Sequence, residues 1–490
     1  MRVRWKRAAA AGAATSAVAA SAAVAARALQ DDDTRHRVQR RARIFKLTAR
    51  RAAHFAVVRV RGRGADEAQR RRLDEQFAIK TAQDVAGVLG GMKGAIMKAG
   101  QMLSFIAEGL PPEAQQALAT LQQDVPPMAP TLAAQVVRDE LGDDPERIFL
   151  EWNPVPLGAA SIGQVHRAVT RDGRIVAVKV QYPGVDKAIK SDLDNAEMLY
   201  GLFASFALPN LDVKALVDEL RARMADELDY RLEAKLQAEF AERYAGHPFI
   251  RIPAVVHELS TQRVLTSEWV DGMRFEEFQA TADRSTKQKA AEVLFRFAQG
   301  SIQHFHVFNG DPHPGNYIFH PDGTVTFLDF GLVKRWNPGE LESLDGIFDH
   351  ILAGDADGTV AESVRAGFLR ADHRLDPKHI YDYVSTPYEP FMVDHFTYTR
   401  AWTSNALAKV IDLKGEFGDV LKVLNMPAHY VILDRVVWGL SALLGRLGAS
   451  NDFRSLLAEY RKGAPPVTEL GRQEAEWRRQ HALAPPEASV

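Results

Sequence analysis

The chain contains no cysteine among its 490 residues. This absence excludes disulfide bonds, cysteine nucleophiles and thiolate metal sites, and it is consistent with a reducing cytoplasmic setting. A strong excess of one charge is also missing, because 61 Lys and Arg and 63 Asp and Glu leave a net charge of -2. Such a balance provides no global attraction to nucleic acid. The length predicts roughly two to four structural units with ample cores.

The N-terminal region departs from this even balance. Residues 8–26 are uncharged and mostly alanine, and residues 35–72 are crowded with arginine but poor in aromatics. Alanine partitions poorly into lipid, so a membrane-associated helix, a cytoplasmic leader and a cleaved signal peptide all stay open for the first stretch. The second stretch favours an anionic membrane surface over nucleic acid, because few aromatic side chains are present to stack on bases.

Two short motifs carry the strongest chemical signal. Residues 310–316 read Gly-Asp-Pro-His-Pro-Gly-Asn, and an Asp-Phe-Gly sequence begins at Asp329. Asp311 and Asn316 have the spacing of the Asp and Asn in a kinase catalytic loop, and Asp-Phe-Gly is a kinase metal turn. The motifs therefore predict a site for ATP and Mg²⁺. Asp311 would orient or deprotonate the nucleophile, while Asn316 and Asp329 would ligate Mg²⁺.

The segment between the motifs predicts a β-hairpin over residues 317–328, with a Pro-Asp-Gly turn. A hairpin would bring both motifs to one edge of a rigid element. His313 lies between two prolines, and no second His or Cys accompanies it at zinc spacing. We therefore interpret His313 as a loop-shaping or hydrogen-bonding residue.

A phosphate cover and a lysine are expected upstream of such motifs. Small residues whose backbone amides could approach phosphates occur together at Gly158, Ala159, Ala160 and Ser161. The apolar run that ends in Val-Ala-Val-Lys at Lys179 matches the third strand of a kinase. Lys179 would bind the α and β phosphates.

The order of elements along a kinase chain predicts two further parts of the site. A helix glutamate should hold Lys179, and spacing alone leaves both Glu197 and Glu233 open. The predicted strand over residues 263–266 runs into Glu268 and Val270, where a kinase hinge would offer backbone groups to adenine.

Together these motifs resemble the UbiB family of atypical kinases, also called AarF-domain proteins. The resemblance runs from about residue 76 to about residue 335, and less distinctively to about residue 447. Besides the motifs already described, it includes Lys-Ala-Gly-Gln at residues 98–101 and Glu-Leu-Asp-Tyr at residues 227–230. It implies an α+β, protein-kinase-like bilobal fold with an N-terminal helical extension covering the active site.

The resemblance also implies roles that spacing could not settle. It identifies Glu233 as the partner of Lys179 and places Glu197 in a helical insert. The family's Lys-x-Gly-Gln motif, carried on the extension, is matched at Lys98, Gly100 and Gln101. Its Glu-x-Asp motif, which faces that lysine and helps to hold nucleotide and metal, is matched at Glu227 and Asp229.

The sequence departs from the relevant patterns in three places. Family members usually carry a run of alanines before the loop serine, whereas Gly158 stands first here, which loosens the loop and would shift nucleotide preference toward an ordinary kinase. No His-Arg-Asp precedes the catalytic loop and no Ala-Pro-Glu follows Asp-Phe-Gly. These absences argue against conventional activation-loop control.

Two other classes remain open. Small-molecule kinases of the aminoglycoside and choline type have nearly the same catalytic loop but lack the upstream extension. A nucleotide-binding lipid scaffold with little turnover is the other class, although the complete set of catalytic groups argues against it.

The predicted organisation is a leader (1–34), a basic linker (35–75), a helical extension (76–145), an N-lobe with a helical insert (146–270), a mainly helical C-lobe (271–462) and a flexible tail (463–490). In the C-lobe, helices are predicted over 340–353, 360–368 and 430–447. The last helix is apolar, but Asp434, Arg435 and Arg446 favour a buried helix over a transmembrane one.

The resemblance implies an ATP-dependent, Mg²⁺-dependent kinase or ATPase in isoprenoid quinone synthesis or lipid homeostasis. A helical cover would block extended protein substrates, so we expect a small lipid-like acceptor such as a quinone precursor. The protein is expected in the cytoplasm, peripheral to or anchored at the inner face of the membrane.

Overall fold

The structure, a computed structural model, describes residues 69, 128–160, 162–186, 228–411, 415–425, 427 and 430–481. All of these except residue 69 belong to one compact unit. Several predictions therefore lie outside the described residues: the leader, the basic linker, the covering part of the extension, the helical insert, and Lys98, Gly100, Gln101, Ser161, Glu197 and Glu227.

An antiparallel sheet forms the first lobe. Its strands are β1 (Glu151–Trp152), β2 (Gly158–Ala160), β3 (Gly163–Val169) and β4 (Ile175–Gln181), and β6 (Val264–Glu268) pairs with β4. Val176, Val178 and Val180 bury one face of β4, which is the period-two pattern of a half-buried strand. In the register of the sheet, Lys179 lies between Val165 of β3 and Leu265 of β6.

Helix α1 (Pro130–Leu141) covers this sheet, and the short helix α2 (Pro145–Ile148) follows it. Proline at the first turn favours the start of α1, and Gly142 ends it in the left-handed conformation with φ 89°. The buried face of α1 packs against the sheet through Ala133, Val136, Val137, Val176 and Val178. This part of the predicted extension therefore belongs to the first lobe.

Helix α3 (Tyr230–Arg243) lies beside β6 and carries Glu233 on its buried side. Asp229 caps its first turn by accepting a hydrogen bond from the Arg231 amide at 3.1 Å. The side chain of Gln181, at the end of β4, donates to the Leu228 carbonyl at 3.0 Å. These bonds fix the start of the helix that presents Glu233.

Short strands line the second lobe where it meets the first. β5 (Ile250–Arg251) pairs parallel with β9 (Val325–Phe327), which pairs antiparallel with β8 (Tyr317–Phe319). β7 (Val307–Asn309) pairs antiparallel with β10 (Val333–Arg335). The predicted hairpin is thus confirmed, and the Leu328 amide donates to the Asn316 carbonyl at 3.0 Å to close its open end.

Helices build the rest of the second lobe, as predicted. In the described residues they are α4 (Phe275–Thr281), α5 (Arg284–Gln299), α6 (Glu340–Ala353), α7 (Ala356–Arg365), α8 (Pro377–Val384), α9 (Arg400–Ile411), α10 (Val420–Val423), α11 (Val431–Leu447), α12 (Phe453–Arg461) and α13 (Glu469–Gln480). The short strands β11 (Phe396–Thr397) and β12 (Ser450–Asn451) pair with each other.

The apolar helix α11 is buried in this lobe, as its charged residues indicated. Its Leu443, Leu444 and Leu447 join Phe295 of α5 and Phe327 of β9 in the largest apolar core. Among the residues that the structure describes, no helix combines the length and apolarity needed to cross a bilayer.

The prediction of a flexible tail from residue 463 is wrong for residues 463–481. α13 packs against the second lobe through Trp477, which is 5% exposed and donates to the Ala245 carbonyl at 2.9 Å. Arg296 of α5, 1% exposed, contacts Glu474 of α13 at 3.1 Å and Glu459 of α12 at 2.8 Å. Charged composition misled the prediction, because these charges are paired inside the fold.

We predict that Trp477→Ala lowers the free energy of unfolding by about 3–5 kcal/mol, the usual cost of removing a buried aromatic side chain. Chemical denaturation measures this change. Gln473→Ala, at an exposed position of the same helix, is the control and should cost less than about 0.5 kcal/mol. Equal stability of the two variants would show that α13 does not contribute to the core.

Candidate active site

Lys179 is the centre of the site, where it meets two carboxylates from different elements. Its Nζ lies 2.8 Å from Oε1 and 2.9 Å from Oε2 of Glu233, and 3.6 Å from Oδ2 of Asp329. The three side chains are 16%, 7% and 20% exposed. The structure therefore brings together β4, α3 and the Asp-Phe-Gly turn, and it pairs Lys179 with Glu233 as the resemblance implied.

The charge on Lys179 is stabilised despite its burial. Burial alone would lower its pKa, but the carboxylates of Glu233 and Asp329 outweigh this effect and hold the pKa well above its ordinary value. The ring of Tyr230 lies 4.9 Å from Nζ and adds a cation–π contact. Lys179 is therefore a fixed positive charge at neutral pH.

The Asn309 side chain connects the catalytic loop to the metal turn. Its Oδ1 accepts a hydrogen bond from the Asp311 amide at 2.8 Å, and its Nδ2 donates to the Asp329 carbonyl. Asn316 in turn donates from Nδ2 to the Asp311 carbonyl at 3.1 Å. Lys179, Asp311, Asn316 and Asp329 are therefore joined through a continuous set of contacts.

The oxygen atoms of Asn316 and Asp329 fit a magnesium ion. Because the amide nitrogen of Asn316 is bound to the Asp311 carbonyl, its Oδ1 remains to serve as a ligand. Asp329 is oriented by the Gly331 amide, which donates to Oδ1 at 2.9 Å. The described residues contain no group of three or more His, Asp and Glu suited to a metal. Phosphate oxygens and water would therefore complete the coordination.

The predicted phosphate cover begins at β2, which pairs antiparallel with β3. Gly158 faces Val165 and Ala160 faces Gly163 in this register, with Ala159 between them. A Cβ atom on Gly158 would meet no atom within 4 Å. The local structure therefore has room for the alanine that family members usually carry at this position.

The predicted hinge crosses from the first lobe to the second. Glu268 ends β6, and the Trp269 amide donates to the Ile175 carbonyl at 3.1 Å. Met273 and Phe319 of β8 exchange backbone hydrogen bonds of 2.9 Å in both directions. Val270, half buried, lies between these two anchor points. The contact of Glu268 and Val270 with adenine stays a prediction.

Two other predicted residues have clear local partners. Asp229 caps α3 and pairs with Arg231 at 2.8 Å, so its predicted part in holding nucleotide and metal stays a prediction. His313 accepts a hydrogen bond at Nδ1 from the Gly315 amide at 3.1 Å, which confirms its loop-shaping role.

Sequence reasoning missed two side chains in the site, Asn309 and Arg435. Arg435 of α11 forms an ion pair with Asp311 through Nη2 and Oδ1. The signal was a basic residue inside an apolar helix, since a buried cation requires a partner. Arg435 and Asp311 are 124 residues apart in the sequence, so the sequence did not indicate which residue the partner is.

The fold is protein-kinase-like. A strand lysine pairs with a helix glutamate in it, and the catalytic loop and the metal turn lie between the two lobes. The ABC1 atypical kinase-like domain matches residues 120–363. The chain in the solved complex structure of Rv3197 with erythromycin, from Mycobacterium tuberculosis, is 31% identical in sequence to this chain. The two structures superpose with a TM-score of 0.59. This similarity covers 79% of this chain and 97% of that one. The chain belongs to the ABC1 atypical kinase-like family, also called the AarF or UbiB family.

Curated relatives carry kinase names but are longer proteins. Protein ACTIVITY OF BC1 COMPLEX KINASE 1, chloroplastic, of Arabidopsis thaliana is 33% identical over 62% of this chain and 45% of its own length. Atypical kinase COQ8B, mitochondrial, of Rattus norvegicus is 33% identical over 59% of this chain and 54% of its own length. The chain thus spans about half the length of these relatives.

We predict that Glu233→Gln lowers the free energy of unfolding by about 3 kcal/mol, because a buried ion pair loses one charge while Asp329 still contacts Lys179. Chemical denaturation without nucleotide measures the change. Glu242→Gln, exposed on the same helix, removes one charge as well and should have little effect. A similar loss in both variants would contradict the importance of the buried pair.

Proposed function

We propose that this chain is an atypical ATP- and Mg²⁺-dependent phosphotransferase or ATPase that acts on, or is coupled to, a small lipid-like molecule. The observation that carries the proposal is the position of Lys179 between Glu233 and Asp329, at 2.8 Å and 3.6 Å. A protein kinase requires this lysine–glutamate pair and this metal-turn aspartate to be in place together.

The residues would divide the work of phosphoryl transfer among them. Lys179 binds the α and β phosphates, and Asn316 and Asp329 hold Mg²⁺, which neutralises charge on the phosphates when it is bound. Asp311 receives the acceptor hydroxyl or water and orients it toward the terminal phosphate. Glu268 and Val270 would contact adenine, while Gly158, Ala159, Ala160 and Ser161 would cover the phosphates.

The burial of the catalytic loop supports a slim acceptor. Asp311 is only 5% exposed, so an acceptor must reach this carboxylate with a narrow group. A prenyl-type or other lipid-like alcohol meets this requirement better than a folded protein surface. Family membership favours isoprenoid quinone synthesis or lipid homeostasis as the setting, at the cytoplasmic face of a membrane. Lys98, Gly100, Gln101 and Glu227 would regulate access and nucleotide binding as the family pattern implies.

We predict that Asp311→Asn and Asp329→Asn each reduce ATP turnover by at least about 100-fold, because each removes a charge used directly in the reaction. Turnover of the purified full chain with Mg²⁺-ATP measures the effect, and chelation of Mg²⁺ should abolish turnover as well. Asp322→Asn removes the same charge at the far turn of the hairpin, where Asp322 binds Thr324, and should leave turnover unchanged.

The products of turnover separate the candidate functions. Labelled terminal phosphate in an extracted lipid supports a lipid kinase, whereas inorganic phosphate alone supports a coupled ATPase. A water-soluble phosphorylated product would favour a small-molecule kinase of the aminoglycoside or choline type. Turnover that is unaffected by Asp311→Asn and Asp329→Asn would contradict the enzyme proposal and favour a nucleotide-binding lipid scaffold.

A further inference from the structure

One face of helix α11 lies directly against the catalytic loop. Ile432, Arg435 and Gly439 are spaced three and four residues apart, so they share this face. A Cβ atom on Gly310 would lie 2.4 Å from Cγ2 of Ile432, and one on Gly439 would lie 2.4 Å from Cγ of Pro312. Glycine on both surfaces therefore permits the contact, which leaves no space for an added methyl group on either side.

Arg435 is the charged residue of this face, and it points to Asp311. Its side chain is 14% exposed, that of Asp311 is 6% exposed, and the two form an ion pair. Bonds between an arginine and a carboxylate are among the strongest and most directional in proteins. The Asp311 backbone is held separately by Asn309 and Asn316. Arg435 therefore controls the carboxylate itself, and through that carboxylate it also ties the catalytic loop to α11.

The surroundings of Arg435 differ from those of a buried structural arginine. Arg296 binds Glu292, Glu459 and Glu474, and also reaches Tyr460 and Thr468. By contrast, Nη1 of Arg435 is buried without a hydrogen-bond partner among the described residues. An incompletely satisfied buried cation costs stability. The contact with Asp311 thus explains the presence of Arg435 better than a general stabilising role.

We propose that Arg435 is a positioning residue, which holds the Asp311 carboxylate against α11 in the orientation that receives the acceptor hydroxyl. This inference rests on the proposed function for its catalytic consequence. It adds to the site a residue that lies outside the matched domain of residues 120–363.

A double-mutant cycle tests the proposal with Arg435→Gln and Asp311→Asn, in the full chain with Mg²⁺-ATP. We expect Arg435→Gln to lower kcat by about 10- to 100-fold, the usual effect of a small misplacement of a reacting group. The KM for ATP should change less than about twofold, because the nucleotide phosphates bind elsewhere. Arg435→Lys, which keeps the charge, should retain part of the lost rate.

The decisive comparison is the effect of Arg435→Gln in the Asp311→Asn background. Because Arg435 acts through Asp311, we expect little further loss there. The control is Arg446→Gln on the same helix, which removes an ion pair with Glu276 and should leave kcat unchanged. A full additional loss in the Asp311→Asn background, or an unchanged kcat in Arg435→Gln, would overturn the proposal.

Amide hydrogen exchange over residues 307–317 provides a readout that needs no turnover. We expect exchange in this segment to increase several-fold in Arg435→Gln and to stay at the wild-type level in Arg446→Gln. Unchanged exchange in Arg435→Gln would overturn the positioning role. If Arg435→Gln does not fold, Arg435→Met, which also removes the charge, replaces it in the same comparison. A wild-type protein without turnover would contradict the proposed function, while the exchange result still decides the role of Arg435.

Discussion

The buried charge of Lys179 is the constraint on which the site depends. An ammonium group taken out of water is costly unless carboxylates compensate it at close range. Glu233 and Asp329 provide this compensation from α3 and from the metal turn of the second lobe. The electrostatic requirement of one strand residue therefore holds the sheet, the helix and the metal turn together.

The catalytic loop is fixed from two sides. Asn309 connects the backbone of Asp311 to that of Asp329, so the position of the loop follows that of the metal turn. α11 supports the opposite side through a close glycine contact and Arg435. Since phosphoryl transfer depends mainly on positioning and electrostatics, such a frame provides much of what the chemistry needs.

Local signals explain which predictions succeeded. Three features depend on residues that are neighbours in the sequence, so the sequence alone was sufficient to predict them. They are the alternation in β4, the Pro-Asp-Gly hairpin and the helix over 340–353. The partner of Lys179 required more, since spacing left Glu197 and Glu233 open until the family pattern favoured Glu233. Long-range pairs could not be found in this way. Arg435 contacts Asp311, and Arg296 contacts Glu474 of α13, across long stretches of sequence. The periodic pattern of a helix or strand does not predict such pairs.

The most direct test of the account is a crystal structure of the full chain with Mg²⁺ and a non-hydrolysable ATP analogue. The account predicts that Lys179 contacts the phosphates while it stays paired with Glu233, and that Asn316 and Asp329 ligate the ion. A nucleotide bound elsewhere, or an ion that touches neither Asn316 nor Asp329, would contradict it.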